Sequence, residues 1–253
     1  MFKALLIALQ FLTRLPLPKG ILTDGDYTEK RLGQSVIFYP VAGLVIGALL
    51  YLVVYVCHQY LQVSSPLIIA ALVLLIWVLL TGALHLDGLS DSADAWVGGY
   101  GDKDKTLAIM KDPYCGPAGV SIIVITLILK FALLTVISKP GSTGLIVVPV
   151  MARLFILFLF MTTPYVRPSG IGAIQASELP RMLAWFTILF FSIVGIYVVG
   201  IQLVYLISAC LVVFFLLRQL MVNRLGGTTG DTAGAMIEIL EVTALLVLGV
   251  LLK

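Results

Sequence analysis

Long, unbroken apolar runs dominate the hydrophobic pattern of this chain, and amphipathic stripes are rare. A helix needs about 20 consecutive apolar residues to cross the hydrocarbon of a bilayer. The run 182–217 is too long for one crossing, so we expect it to fold back near Gly200-Ile201-Gln202 as two helices. The pattern therefore predicts seven membrane-spanning helices, at 36–57, 66–86, 119–138, 144–162, the two halves of 182–217, and 233–252.

The first residues, "MFKALLIALQFLTRLPLP", show a different pattern. Lys3, Gln10 and Arg14 recur about every turn or two within an apolar stretch that lacks a clear small-residue cleavage site. This spacing predicts an amphipathic helix that lies in or dips into the membrane interface, rather than a cleaved signal peptide.

Composition agrees with a chain whose main solvent is lipid. Of its 253 residues 60% are hydrophobic and 11% are charged, whereas a soluble domain is about half apolar and a quarter charged. The three cysteines stand far apart without CxxC spacing, which argues against a disulfide framework or a thiolate metal site. We therefore predict an all-α fold, a polytopic membrane helix bundle that forms a single integral-membrane domain over residues 1–253.

The distribution of basic residues gives the bundle an orientation. With the N-terminus in the cytoplasm, the outside segments hold only Lys139 and Lys253, which fits the positive-inside rule. No outside loop carries an acid, and Glu238 and Glu241 lie inside the last helix. We therefore expect the chemistry to face the cytoplasm. The basic residues on that side are Lys3, Arg14, Lys19, Lys30, Arg31, Lys103, Lys105, Lys111, Arg167, Arg181, Arg218 and Arg224.

Three aspartates are concentrated where an apolar run ends, in "LHLDGLSDSADAW" at 84–96. If 87–96 continues as a helix, Asp87, Asp91 and Asp94 follow i, i+4 and i+7 spacing and project as one narrow stripe. Three ionised carboxylates so close repel one another, and a hard cation such as Mg²⁺ removes that conflict. The alternative is a solvated helix end without a metal. His85 would face away from the stripe unless the helix breaks near Gly88.

The other cytoplasmic loops carry residue types that suit anions. Lys111 and Asp112 lie in "IMKDPYCGPAGV", where Asp112 before a proline could also be only a turn former. Arg167 lies in the Pro- and Gly-framed "TPYVRPSGIG". The segment "NRLGGTTGDTAGAMIEILE" brings Arg224, Gly226, Gly227 and Thr228 to a helix N-terminus, a favourable place for an anion.

Ionisable residues within the spans have two readings. Asp231 and Glu238 share a helix face and could extend the metal site, because charges inside a membrane usually mark function or internal pairing. The alternative is that Lys130 and Arg153 pair with Glu238 and Glu241 and serve only the structure.

From the residues alone, the best-supported function is a Mg²⁺-dependent phosphotransferase with a bulky or amphiphilic substrate. The metal would neutralise a diphosphate, and His85 or one of the aspartates would accept a proton from the attacking hydroxyl. Two alternatives stay open, a CDP-alcohol-type phosphotransferase and a cation-coupled membrane transporter. The first lacks its usual Ala-Arg after the Asp-Gly, and the second finds its support in the charges within the spans.

Five stretches together resemble one known family. "GALHLDGLSDSADAW" is similar to the signature of cobalamin synthase, the adenosylcobinamide-GDP ribazoletransferase family. "FLTRLPLP" at 11–18, "IMKD" at 109–112, "PYVRP" at 164–168 and "RLGGTTGDTAGA" at 224–235 also resemble it, in order along the whole chain.

This resemblance implies transfer of the cobinamide phosphate from adenosylcobinamide-GDP to α-ribazole or its 5′-phosphate, with release of GMP. It implies Mg²⁺ as cofactor, a multi-pass location in the bacterial inner membrane, and no nucleic-acid partner; the assembly state, including a homo-oligomer, stays open. The residues expected in catalysis are His85, Asp87 and Asp91, and those expected at the metal are Asp87, Asp91, Asp94, Asp112, Asp231 and Glu238. The residues expected to bind substrate are Lys111, Arg167, Arg224, Gly226, Gly227 and Thr228.

Overall fold

The structure, a computed structural model, describes residues 1–251, and over this range it contains helices and no β-strand. This confirms the all-α prediction. Residue 252 and Lys253, which the sequence placed at the end of the last span and outside the membrane, lie beyond the described residues. The helices are α1 Phe2–Leu12, α2 Glu29–Val36, α3 Tyr39–Gln59, α4 Pro66–Thr81, α5 Leu84–Gly98, α6 Lys103–Ile109, α7 Pro117–Ile137, α8 Gly144–Thr162, α9 Ile171–Ser177, α10 Arg181–Val199, α11 Ile201–Leu225 and α12 Gly230–Leu251.

Among residues 1–251, six helices are long and apolar enough to cross a membrane, namely α3, α7, α8, α10, α11 and α12. The pair α4 and α5 passes the same test only together and would make a seventh crossing, although it is bent by 83°. The predicted fold-back of 182–217 is confirmed, because α10 ends at Val199 and α11 begins at Ile201. Gly200 between them has a φ of 76°, a conformation that glycine adopts at little steric cost.

The span predicted at 66–86 is wrong in its last five residues, where the helix breaks. Helix α4 stops at Thr81, and both Gly82 and Ala83 take left-handed backbone angles before α5 restarts. The Gly82 and Ala83 N–H groups donate to the carbonyls of Leu79 and Val78, which completes the helix end. A Cβ on Gly82 would lie 2.4 Å from Nε of Arg14, an exposed side chain that can move aside, so the backbone angle is the stronger reason for a glycine here. The aspartates therefore belong to a separate helix that leaves α4 sharply.

The hydrophobic pattern did not predict three short helices. Helices α2, α6 and α9 have eight, seven and seven residues, too few for a helical period to stand out. They connect longer helices: α6 packs against α5, which carries the aspartates, and α9 packs against α2.

Helix α8 is the buried centre of the bundle, and α3 packs along it. Two glycines of α3 permit this close approach: a Cβ at Gly43 would lie 2.5 Å from the Pro149 carbonyl oxygen, and one at Gly47 would lie 2.6 Å from Ile146 Cα. In lipid, helix association depends on such backbone proximity because burial of apolar surface adds little between helices.

Gly47→Ala should therefore lower the free energy of unfolding by about 1–3 kcal/mol, since its methyl group meets backbone that cannot move aside cheaply. The measurement is the midpoint of thermal unfolding of the protein in lipid nanodiscs. Gly25→Ala is the control, because a Cβ at Gly25 has no atom within 4 Å. Equal midpoints for the two variants would contradict this account of the α3–α8 contact.

Candidate active site

The structure contains the stripe of aspartates that the i, i+4 and i+7 spacing predicted. Helix α5 runs unbroken from Leu84 to Gly98, with Asp87 exposed and Asp91 and Asp94 partly buried. The opposite face of α5 is buried against α12 and α7. Gly88 allows the contact with α12, because a Cβ there would lie 2.7 Å from the Asp231 carbonyl oxygen.

Asp94 accepts hydrogen bonds from backbone groups at the beginning of α7. Its two carboxylate oxygens accept hydrogen bonds from the backbone N–H groups of Gly116, at 2.7 Å, and Gly119, at 2.9 Å. A Cβ on either glycine would lie within 2.5 Å of this carboxylate. Asp94 therefore neutralises the positive end of α7 and anchors that helix to the stripe.

Asp231 joins the stripe from the first turn of α12. Arg167, in the loop after α8, donates from Nη2 to Asp231 Oδ2 over 2.6 Å, and both side chains keep partial contact with solvent. The guanidinium is planar and carries further N–H groups, so it can hold Asp231 and still face a phosphate.

The pKa of Asp91 reflects the charges of the cluster. Burial, together with the charges of Asp87, Asp231 and Asp94, raises the pKa of Asp91 to about 6, while Arg167 opposes this increase. One guanidinium is set against four carboxylates, so the cluster carries surplus negative charge.

This donor set fits a magnesium ion shared with a substrate. Within residues 1–251, no three His, Cys, Asp or Glu side chains form a group that could hold a metal ion by themselves. Mg²⁺ rarely needs such a cage, because it is usually held by one or two carboxylates together with substrate phosphates and water. Asp87 and Asp91, which accept no hydrogen bond from the described residues, have the required oxygen ligands and the surplus charge.

Lys111 and Asp112 lie in the exposed loop between α6 and α7. The Asp112 carboxylate accepts from the Tyr114 backbone N–H over 3.1 Å, the geometry of an Asx turn. The structure thus gives Asp112 the turn-forming role that the sequence held open. Its contact with a metal and that of Lys111 with a phosphate stay predictions.

Arg224 ties three helices together. Its Nε donates to Thr106 Oγ1 over 3.1 Å and its Nη2 to the Trp96 carbonyl oxygen over 2.8 Å. These bonds join the last turn of α11 to α5 and α6, so the side chain expected to bind phosphate holds the site together.

Gly226, Gly227 and Thr228 connect α11 to α12 and pair with the loop that carries Arg167. Thr228 N–H donates to the Pro164 carbonyl, and the Thr228 carbonyl accepts from Val166 N–H, both over 2.8 Å. Gly227 presses so closely on Pro164 that a Cβ would collide with the backbone. The Thr228 side chain is fully buried. The three residues fix the position of Arg167 near Asp231, and their contact with substrate stays a prediction.

Glu238 belongs to a buried ion network away from the stripe. Lys130 Nζ lies 2.6 Å from both Glu238 Oε2 and Glu241 Oε2, and Arg153 pairs with the other oxygen of Glu241. Two cations thus meet two carboxylates, as the internal-pairing alternative proposed. We therefore do not carry Glu238 forward as a metal ligand.

Two cavities open beside the carboxylates. The larger, about 680 Å³, lies between the end of α8 and α9 and includes Arg167 and Arg181. The smaller, about 160 Å³, reaches inward and includes His85, Asp87 and Asp231. They share the side chains of Phe160 and Tyr165.

Sequence reasoning missed the residues that the fold brings to the smaller cavity. Tyr39 and Gln175 both line it, and the Tyr39 hydroxyl donates to Gln175 Oε1 over 3.0 Å across 136 positions of chain. The sequence signal was a glutamine between apolar residues, Ile174 and Ala176, and a glutamine by itself does not indicate its partner.

The comparisons with known proteins agree over nearly the whole length. Residues 4–249 match the family described as cobalamin-5-phosphate synthase. Relatives named adenosylcobinamide-GDP ribazoletransferase include one from Pseudomonas fluorescens (strain Pf0-1), 48% identical over 94% of this chain and 96% of its own. Others come from Pseudomonas entomophila (strain L48), 49% identical over 94% and 95%, and Pseudomonas aeruginosa (strain PAO1), 45% identical over 97% of each. No solved structure matches. Because both kinds of match span almost the entire sequence, this chain belongs to the cobalamin-5-phosphate synthase family.

Proposed function

We propose that this protein is an adenosylcobinamide-GDP ribazoletransferase, which joins the two halves of cobalamin in assembly of the nucleotide loop. It transfers the cobinamide phosphate of adenosylcobinamide-GDP to a ribose hydroxyl of α-ribazole or its 5′-phosphate. The products are adenosylcobalamin or its 5′-phosphate, and GMP. The observation that carries the proposal is the carboxylate cluster of α5 and α12, in a chain whose near-full-length relatives bear that enzyme's name.

The reaction makes one P–O bond and breaks another. The ribose 3′-oxygen bonds to the phosphorus attached to cobinamide, the bridging P–O bond breaks, and GMP leaves with its electron pair. Asp87 and Asp91 would hold Mg²⁺, which supplies charge neutralisation for a bound diphosphate. Arg167, held by Asp231, donates hydrogen bonds to phosphate oxygens. The proton of the attacking hydroxyl passes to a carboxylate oxygen or to His85.

The protein is a multi-pass membrane protein of the bacterial inner membrane in this proposal, with its site facing the cytoplasm. Support comes from contacts among segments that the charge pattern assigns to one side. The start of α7 meets Asp94, the loop after α8 meets Asp231, and the end of α11 meets Trp96. These segments carry most of the basic residues outside the spans, as the cytoplasmic side should.

The transporter alternative loses its main support. Its case depended on Lys130, Arg153, Glu238 and Glu241 as ion carriers, and these four pair with one another in one buried network. The CDP-alcohol alternative gives way to the family membership.

The test is GMP release by the purified protein in lipid nanodiscs, given adenosylcobinamide-GDP and α-ribazole 5′-phosphate. We expect release that requires both the ribazole and Mg²⁺ and that stops with excess EDTA. Release without ribazole would identify a hydrolase of the same diphosphate. Full activity in EDTA would overturn the magnesium role, and no release from folded protein would overturn the proposed reaction.

A further inference from the structure

The beginning of α5 receives little support from the helix before it. The N–H groups of Gly82 and Ala83 turn back to close α4, and the pair of helices is bent by 83° at this break. Asp87 lies in the first turn after the break, so its position depends on contacts between helices. Helix α12 supplies one of them, because a Cβ on Gly234 would lie only 3.4 Å from His85 Cα. The contacts at the beginning of α5 therefore decide where Asp87 stands.

His85 supplies a side-chain anchor on the face of α5 opposite the aspartate stripe. Two residues of a helix turn the side chain by about 200°, so His85 points away from Asp87 and into the bundle. Its Nδ1 lies 3.4 Å from Nη2 of Arg153, a fully buried residue of α8. Nη1 of the same guanidinium pairs with Glu241 of α12. The contact thus ties the first turn of α5 to two helices at the centre of the bundle.

Neither nitrogen of the His85 ring is placed to take a proton from a substrate. Arginine only donates hydrogen bonds, so Nδ1 accepts from Arg153 and the proton of the neutral ring resides on Nε2. Nε2 is closed off from solvent and has no hydrogen-bond partner among residues 1–251. His85 as a whole is only 2% exposed, although it contributes to the wall of the smaller cavity. A general base must come within hydrogen-bond reach of the hydroxyl, and this ring does not.

We propose that His85 is a positioning residue, which fixes the first turn of α5 to Arg153 and takes no part in proton transfer. This assignment rests on the proposed function and deepens it. The proton of the attacking hydroxyl then passes to a carboxylate oxygen of the cluster, and the hydroxyl oxygen keeps the electron pair that forms the new P–O bond.

The anchor matters because the carboxylates that it positions repel one another. Asp87, Asp94 and Asp231 all place negative charge near Asp91. This repulsion favours any motion that carries the first turn of α5 away from the rest of the cluster, and the contact between His85 and Arg153 opposes that motion. A displacement of about 1 Å can lower a catalytic rate about 10²-fold, so a residue that touches no substrate can still control turnover.

The experiment compares two amide substitutions of His85 in lipid nanodiscs. In His85→Asn the side-chain oxygen takes the place of Nδ1 and can accept from Arg153, whereas in His85→Gln the amide takes the place of Nε2 and leaves that donor unpaired. The first readout is amide hydrogen exchange of peptides from residues 84–91, without substrates. We expect exchange about tenfold faster than in wild-type protein for His85→Gln, and close to wild type for His85→Asn. A role in filling space predicts the reverse order, because glutamine is nearer to histidine in size.

The second readout is kcat for GMP release with both substrates and Mg²⁺. We expect His85→Asn to stay within about threefold of wild type and His85→Gln to lose about tenfold or more. A general base at His85 predicts a loss of about 10²–10⁴-fold in both variants, because neither amide can accept a proton. Such a loss in folded His85→Asn protein would overturn the proposal by itself, and so would equal exchange rates in the two variants.

His58→Asn is the matched control, because His58 lies in the last turn of α3 and outside the smaller cavity. It should keep both the wild-type exchange of residues 84–91 and the wild-type kcat. Hydrogen exchange needs no turnover, so the anchor can fail this test while wild-type protein releases GMP, and it can pass while GMP release fails. Failure of the anchor is therefore distinguishable from failure of the proposed function.

Discussion

Asp87→Asn is expected to abolish ribazole transfer, lowering kcat/KM by about 10³-fold or more, while the protein stays folded in the membrane. The substitution keeps the shape of the side chain and removes the charge that would hold Mg²⁺ on the diphosphate. Asp87 is exposed, so its loss should cost little stability. The measurement is GMP release at saturating Mg²⁺, with the thermal unfolding midpoint recorded for the same preparation.

Asp104→Asn is the matched control for this variant. Asp104 is an exposed aspartate in the first turn of α6, close in the chain but outside the carboxylate cluster. It should release GMP at the wild-type rate. If Asp87→Asn retained near-normal activity, Asp87 could not be a metal ligand, and Asp91 and Asp231 would have to carry the site.

Lys130→Met is expected to lower the stability of the protein strongly. The substitution removes one of two cations from a buried network and leaves Glu238 and Glu241 facing the single charge of Arg153. Breaking a buried ion pair on one side typically costs about 3–5 kcal/mol, because the remaining charge is left uncompensated. We therefore expect a large fall in the thermal unfolding midpoint in nanodiscs.

A double variant separates charge balance from simple loss of packing. Lys130→Met with Glu238→Gln leaves Arg153 and Glu241 as one neutral pair, so it should be more stable than Lys130→Met alone. Lys139→Met, at an exposed lysine after α7, should leave the midpoint unchanged. If the costs of the two substitutions simply added, the network would not be coupled through charge.

The network also bears on how the site is organised. Arg153 connects Glu241 to His85, so the buried network extends to a residue that lines the smaller cavity. Neutral pairing lowers the cost of placing four charged groups among apolar helices.

Local sequence determined six of the seven predicted spans, the fold-back at Gly200 and the aspartate stripe. Apolar runs of the required length predict crossings because a bilayer has a fixed thickness, and the stripe follows from helical spacing alone. The internal pairing of Lys130 and Arg153 with Glu238 and Glu241 was also foreseeable, because unpaired charges in lipid are costly.

Tertiary structure alone decided the partners of the polar groups around the aspartate stripe. Asp94 shares the spacing of Asp87 and Asp91, yet the start of α7 takes up its oxygens. Arginine is a residue type that often binds phosphate, yet Arg224 donates a hydrogen bond to the Trp96 carbonyl near the end of α5. The cavity needs six helices and the bend at Gly82 and Ala83. A periodic pattern reports only neighbours within a few turns, whereas hydrogen-bond partners and cavities depend on packing between segments that are far apart in the chain.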